Sequence, residues 1–413
     1  VFYRSSPFKQ KREHKRMRDV AIIGIGHTKF GRASKASLEL FSESVLQAID
    51  DAGVELKDIE ALFQGAALAG FEEGQVMSAA FSAADLNLGP IPATRYEGAC
   101  ASASIAIRDA AMWVGSGEYD MVIAGGMEKA LTMGTLFATR TFAMACHAPT
   151  EGPVGLTFPA VFAMAAMRYA KNYDIPLEKL REKMAHVSIK NHKHGALNPL
   201  AQFYKKLGAL KLEEVIEAKM VADPLSLLDC CPFSDGASAL VLCAAEKARK
   251  YTDEPVYILG TGQGSGGPLS KMEDLTKPVS RISSAKAAFK QAGLTPKDID
   301  LVEVHDCFTI AELIALECMC FFDWGEAADA VEEGQTELGG KIPVNMSGGL
   351  IGKGHPIGAT GASQIYWIIK QMRGEAAKGN QIDPVPEYGM TDTLGGDFGT
   401  LCHIILGRSK RKK

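Results

Sequence analysis

"AIDDAGVELKDIEALF" (residues 48–63) and "AFKQAGLTPKDIDLVE" (288–303) are one pattern written twice, 240 residues apart. Ala, an Ala-Gly pair, Lys-Asp-Ile and then an acid recur at equal spacing, which is the mark of an internal duplication. Each copy predicts a helix that stops where Gly53 or Gly293 takes a left-handed position, followed by a strand after the Asp-Ile pair. Upstream of each helix lies a short apolar run ending in glycines, "DVAIIGIG" (19–26) and "VYILGTG" (256–262), as a strand covered on both faces requires. "MVIAGG" (121–126) reads the same way. Strands alternating with helices imply an α/β fold with mixed, mostly parallel sheets, in two duplicated halves packed about a pseudo-twofold axis.

The chain divides into a basic extension over 1–17, a first half over 18–250 and a second half over 251–413, with the boundary in the polar stretch "KARKYTDEP". Within the first half, about 127–225 is too long for a simple connection and reads as lid or binding loops. The 413 residues are 46% hydrophobic and 23% charged, ample for a sizeable core. No apolar run is long enough to span a bilayer.

The net charge of -4 is uneven: residues 1–16 carry a surplus of five positive charges, the last six residues five more, and the body is left at -14. That argues against a nucleic-acid surface, because phosphate binding needs Lys and Arg gathered on a folded face. The N-terminal stretch lacks a signal-type apolar core and "SKRKK" is no peroxisomal address, so the cytoplasm is expected. Nine cysteines without a regular framework or C-x-x-C spacing suggest free thiols and no metal site.

Three segments carry candidate chemistry. "RYEGACASASIAIRDAAMWV" (95–114) sets Cys100 among small residues before a buried helix, where unpaired N–H groups and the dipole would favour a thiolate. Taken alone, a cysteine beside alanines serves equally well as core filler. "GKGHPIGATGA" (352–362) places His355 among glycines, where a backbone can approach a ligand closely. "VEVHDCFTIAE" (302–312) puts His305 and Cys307 at the end of an apolar strand, where sheets open active-site crevices.

"CASAS", "GGMEKA", "HDCF" and "GHPIGATG", in this order and separation, resemble the thiolase superfamily over about residues 18–407. "HDCF" is similar to the branch of sterol-carrier-protein-type thiolases and their archaeal and bacterial relatives. The resemblance implies the five-layered αβαβα thiolase fold and a homodimer or dimer of dimers. It makes Cys100 the nucleophile and His355 its base. His305 would complete the first oxyanion site, Cys307 would be the acid/base at the α-carbon, and Gly395 with the Cys100 N–H would form the second oxyanion site. The substrates would be coenzyme A and acyl-CoA, with no permanently bound cofactor. One departure stands out: Thr393 occupies the place of the familiar second cysteine of a C-terminal "CxG" motif, which Cys307 would replace.

For coenzyme A the sequence offers His192, Lys193 and His194 as a basic cluster, either phosphate-facing or a solvated loop. Cys231 and Ser234 match the pantetheine channel of relatives, and Phe308 and Met127 border it or serve as core. The stretch 142–170 shapes an acyl pocket or simply packs. The implied reaction is thiolytic cleavage of 3-ketoacyl-CoA or the reverse condensation. A ketoacyl synthase-like enzyme, an aldol-cleaving relative acting on a bulky substrate, and a non-catalytic acyl-CoA-binding subunit remain open. Some relatives also work with a small zinc-ribbon/OB-fold partner.

Overall fold

The computed structural model describes residues 17–410, so residues 1–16 of the basic extension and the last three residues lie outside it. Among the described residues nine strands form the main sheet: β1 (Val20–His27), β2 (Ala61–Gly65), β3 (Ala93–Tyr96), β4 (Met121–Glu128), β5 (Gly236–Ala244), β6 (Val256–Ser265), β7 (Leu301–Glu303), β8 (Tyr388–Gly395) and β9 (Thr400–Gly407). Their order is β3-β2-β4-β5-β1-β6-β9-β8-β7. Within the first half β1 to β4 run one way and only β5 opposes them; within the second only β9 opposes β6, β7 and β8. The mixed, mostly parallel arrangement expected from the repeat is therefore present in each half. The halves join where β1 and β6 pair antiparallel, Val20 opposite Ile258 and Ile22 opposite Val256.

Five layers follow. Helix α1 (Ser37–Ala52) lies on the outer face of the first half-sheet, and α2 (Ser102–Ser116) lies on its inner face. The insertion supplies α3 (Phe158–Asn172) and α4 (Leu177–Leu197), the second half α5 (Val279–Ala292) and α6 (Thr360–Met372). Helix α5 covers the outer face of β6 and β9, and α6 packs against α2 at the centre. Two separate apolar clusters match this layering: Ala106, Ile107, Ile365 and Ile368 belong to the inner one, Phe41, Val45, Ala285 and Ala288 to the outer one. Helices α1 and α5 both end in left-handed glycines, Gly53 at φ 63° and Gly293 at φ 70°, as the repeat predicts.

The duplication extends to backbone contacts. A Cβ at Gly26 would overlap the carbonyl oxygen of Ser44 in α1, and one at Gly262 would overlap that of Ser284 in α5. The glycines thus let each outer helix rest on its strand, which the strand signal alone did not reveal. Gly26→Ala is expected to destabilise the protein by about 2–3 kcal/mol, because rigid backbone must shift to admit the methyl group. A urea-denaturation midpoint unchanged from wild type would contradict that packing.

The insertion between β4 and β5 does not stay on its own half. Helix α4 packs against the short helices Ala327–Glu332 and Gly349–Lys353 of the second half, and α3 against Thr309–Cys318. It therefore roofs the site described next. Among the described residues no helix is long and apolar enough to cross a membrane.

Candidate active site

Cys100 occupies a short 3-10 turn, Ala99–Ala101, that leads into α2. Ala99 before it is held at φ 47°, in the left-handed region that alanine seldom enters. Strain of this kind, of order 1–3 kcal/mol, persists where surrounding structure fixes it, and here it presents the next side chain.

The second half brings His355 to that side chain. Its Nε2 stands 3.3 Å from Cys100 Sγ, and its Nδ1 stands 2.7 Å from Thr360 Oγ1. The Thr360 hydroxyl donates to the Pro356 carbonyl at 3.0 Å, so toward the imidazole it accepts. Nδ1 therefore carries the proton and Nε2 offers its lone pair to the thiol. Ser234 Oγ accepts the His355 backbone N–H at 2.8 Å while donating to Gln202, which fixes the loop. Removing the hydroxyl in Thr360→Val is expected to lower kcat about 10–100-fold at unchanged fold, by freeing the tautomer. Undiminished turnover by that variant would show that Thr360 sets nothing.

His305 follows β7 and is fully buried, yet among the described residues neither ring nitrogen has a partner. Its ring stands edge-on to that of His355, centroids 5.1 Å apart. An orphaned buried imidazole is costly unless a ligand meets it, and this one lines a cavity of about 390 Å³ together with Cys100, Cys307 and His355. Donor atoms of Cys100, His305 and His355 lie within 4.8 Å of one another. The segment 230–233 braces the two loops: Cys230 bridges Phe308, Phe233 bridges His355, and the Cys231 N–H donates to the Cys307 carbonyl at 2.9 Å.

Burial governs the protonation of all four groups. It pushes the Cys100 thiol up to about 12, against the opposing hydrogen bonds of the Gly396 and Cys100 N–H groups. It also pushes the Cys307 thiol well up, helped by nearby Cys100. Burial, then the charge of Lys353, lowers His355 to about 3, and burial with His355 lowers His305. Desolvation here works against the thiolate that the helix N-terminus favours, and on balance it favours a neutral thiol beside a neutral imidazole.

Other expectations shift in the same way. The N–H turned toward the sulfur belongs to Gly396, one residue beyond Gly395, which lines a neighbouring cavity of about 640 Å³ that also reaches Cys100. His192, Lys193 and His194 form no phosphate-facing cluster. They lie on α4, where His192 and His194 are buried against the Ser188 and Asn345 carbonyls and Lys193 pairs with Glu337 at 2.6 Å. Ser234 is a brace for His355 and not a channel wall, and Met127 is buried in β4, lining neither cavity. Cys231 and Phe308 do line the smaller cavity, as do Phe158 and Phe162 from the 142–170 stretch. Sequence reasoning missed Thr360, Gln202 and Lys219, the last of which lines the smaller cavity. Of these only Thr360 left a signal, a hydroxyl five residues after the histidine.

Residues 20–246 match the family model for the thiolase N-terminal domain, and residues 264–408 that for the thiolase C-terminal domain. The chain belongs to the thiolase family. It is 45% identical over 394 residues to the acetyl-CoA acetyltransferase of Methanothermobacter thermautotrophicus, covering 95% of this chain and 100% of the relative. It is 34% identical to the benzoylsuccinyl-CoA thiolase subunit BbsB of Thauera aromatica, covering 92% and 95%, and 33% identical to human sterol carrier protein 2, covering 88% and 67%. The solved Ltp2-ChsH2(DUF35) aldolase superposes with a TM-score of 0.79 at 30% identity, covering 94% of this chain and 97% of that one. With these relatives the thiolase is an acyltransferase, of the sterol-carrier-protein-type branch.

Proposed function

We propose that this thiolase acts on 3-ketoacyl-CoA and coenzyme A through an acyl-enzyme on Cys100. The observation that carries the reading is the His355 Nε2 lone pair 3.3 Å from the thiol, beside the unpartnered ring of His305.

Cys100 passes its proton to Nε2 as sulfur attacks the ketone carbon, because burial disfavours either ion beforehand. The resulting alkoxide is held by the Cys100 and Gly396 N–H groups. Collapse breaks the bond between C2 and C3, leaving an acyl-cysteine and an enolate. The imidazolium Nε2–H and His305 donate to the enolate oxygen, and Cys307 protonates C2. The Cys307 thiolate then takes the proton of an incoming CoA thiol, whose sulfur attacks the acyl-cysteine. Cys100 leaves as thiolate and recovers its proton from His355. Thr393, at the place of the familiar second cysteine, is bound to Gln364 and Ser104 and supplies no proton.

The test separates the half-reactions. With acetyl-CoA, Cys307→Ala is expected to accumulate an acetyl mass on Cys100 yet to make or break carbon–carbon bonds at least about 10³-fold more slowly. Full rate in that variant would remove Cys307 from the reaction.

A homodimer is part of the proposal. Edge strand β3 is only half-covered, and Phe71, Met77, Phe81 and Trp113 are exposed apolar side chains of the same half. A small DUF35-type partner is the corresponding reading for a larger assembly, since the solved aldolase relative pairs Ltp2 with ChsH2(DUF35). Nine free cysteines support the cytoplasm.

A further inference from the structure

One buried cluster takes no part in the reaction above. The donor atoms of Cys146, Glu151 and Asp397 all lie within 4.8 Å of one another, and the three residues are 6%, 5% and 4% exposed. Glu151 is already oriented, its Oε2 accepting the His147 N–H at 2.5 Å and its Oε1 the Leu269 N–H at 2.7 Å. Asp397 is not satisfied in this way: among the described residues its buried Oδ2 meets no donor and faces the Glu151 carboxyl, with which it can bond only by sharing a proton. The ion pairs of the described residues include neither acid. A buried carboxylate oxygen facing a thiol and a second carboxylate, with no cation, is costly unless something else meets it.

The cluster also joins two walls of the catalytic region. Ala145, next to Cys146, lines the larger cavity, and Asp397 follows Gly396, whose N–H faces the nucleophile. Gly396 takes φ 67°, and a Cβ there would stand 2.8 Å from the Ala145 carbonyl oxygen, so the two segments are pressed together.

We propose that Cys146, Glu151 and Asp397 bind a borderline-soft divalent ion of the zinc class, tying the 143–151 segment to the turn that carries Gly396. One sulfur and two carboxylate donors suit tetrahedral coordination with water in the fourth place. Magnesium and calcium are excluded by the thiol and by the small number of oxygens. On binding, the Cys146 S–H bond breaks, a metal–sulfur bond forms and the proton leaves to solvent. A proton shared between the two carboxyls leaves with it, and no oxidation state changes.

The experiment is a cobalt(II) titration of the full chain after chelator treatment, read as the thiolate-to-cobalt charge-transfer band, with protein thermal melting followed on adding zinc. Wild type is expected to show one equivalent of cobalt with the band, and a higher melting temperature with zinc. Cys146→Ser should lose the band, Asp397→Asn should weaken cobalt binding tenfold or more, and Cys100→Ser should keep both. That last variant separates this site from Cys100, His305 and His355, whose donors could also hold cobalt. Absence of the band in wild type, its survival in Cys146→Ser, or its loss in Cys100→Ser overturns the site. A zinc-insensitive melt does so too, leaving a proton shared between the two carboxyls as the explanation.

Discussion

Cys100→Ser is expected to lower turnover by about 10⁴-fold or more and to abolish the acyl adduct, with secondary structure unchanged. The hydroxyl fits where the thiol does, so folding is spared. What fails is the proton transfer. His355 is a weak base in this site, lowered to about 3, and can accept a proton only as a polarisable sulfur forms its bond to carbon. An alcohol is both a weaker acid and a harder nucleophile. The same depressed value fixes the pH behaviour. A lowered histidine stays neutral, and therefore competent as a base, until the pH falls toward about 3, so kcat/KM should show no acid limb near 6.5 from this group. Steady-state rates with a 3-ketoacyl-CoA and intact-protein mass spectrometry check both statements. A serine variant that kept a tenth of the rate, or carried an acyl mass, would end the nucleophile assignment.

The fold and the reacting atoms are readable for different reasons. The repeat around Gly53 and Gly293 is local backbone chemistry, so the sequence states it directly, and the strand-to-helix spacing then limits how two such units can pack. Cys100, His305, Cys307 and His355 stand in glycine-rich or strand-end contexts that a core does not require, and all four line one cavity. What escapes is whatever depends on burial. "NHKHG" looks solvated because it is polar, yet both histidines are buried: the His194 ring meets the Asn345 carbonyl of the second half, and the His192 ring meets the Ser188 carbonyl of its own helix. Ser234 looks like a channel residue because its neighbours line one, whereas its hydroxyl holds the His355 loop. The balance acting on the thiol is hidden for the same reason: a helix N-terminus can be read from sequence, the solvent excluded around it cannot.

Arg281→Met is expected to destabilise the protein by about 3–5 kcal/mol, because it strands a buried charge. Arg281 is fully buried and grips Asp392 with Nε at 3.0 Å and a terminal nitrogen at 2.8 Å. His403 Nε2 stands 3.0 Å from Asp392 Oδ1, the oxygen that Arg281 Nε also meets. Burial alone would raise the Asp392 carboxyl, but the Arg281 charge and the His403 hydrogen bond pull it well below the usual range. The sign follows: between the folded and unfolded values only the unfolded chain binds the proton, so this contribution is full at neutral pH. It declines as the pH falls below about 4, the ordinary carboxyl value. The same carboxylate accepts the backbone N–H of His305 at 3.1 Å, so the ion pair also places the oxyanion donor. A double variant, Arg281→Met with Asp392→Leu, removes both charges and should recover most of the stability in urea denaturation. It should not recover the rate of carbon–carbon cleavage, since His305 has lost the group that fixes its backbone. Equal recovery of stability and rate would show that the pair is structural alone, and a single-variant cost under about 1 kcal/mol would show that it is not even that.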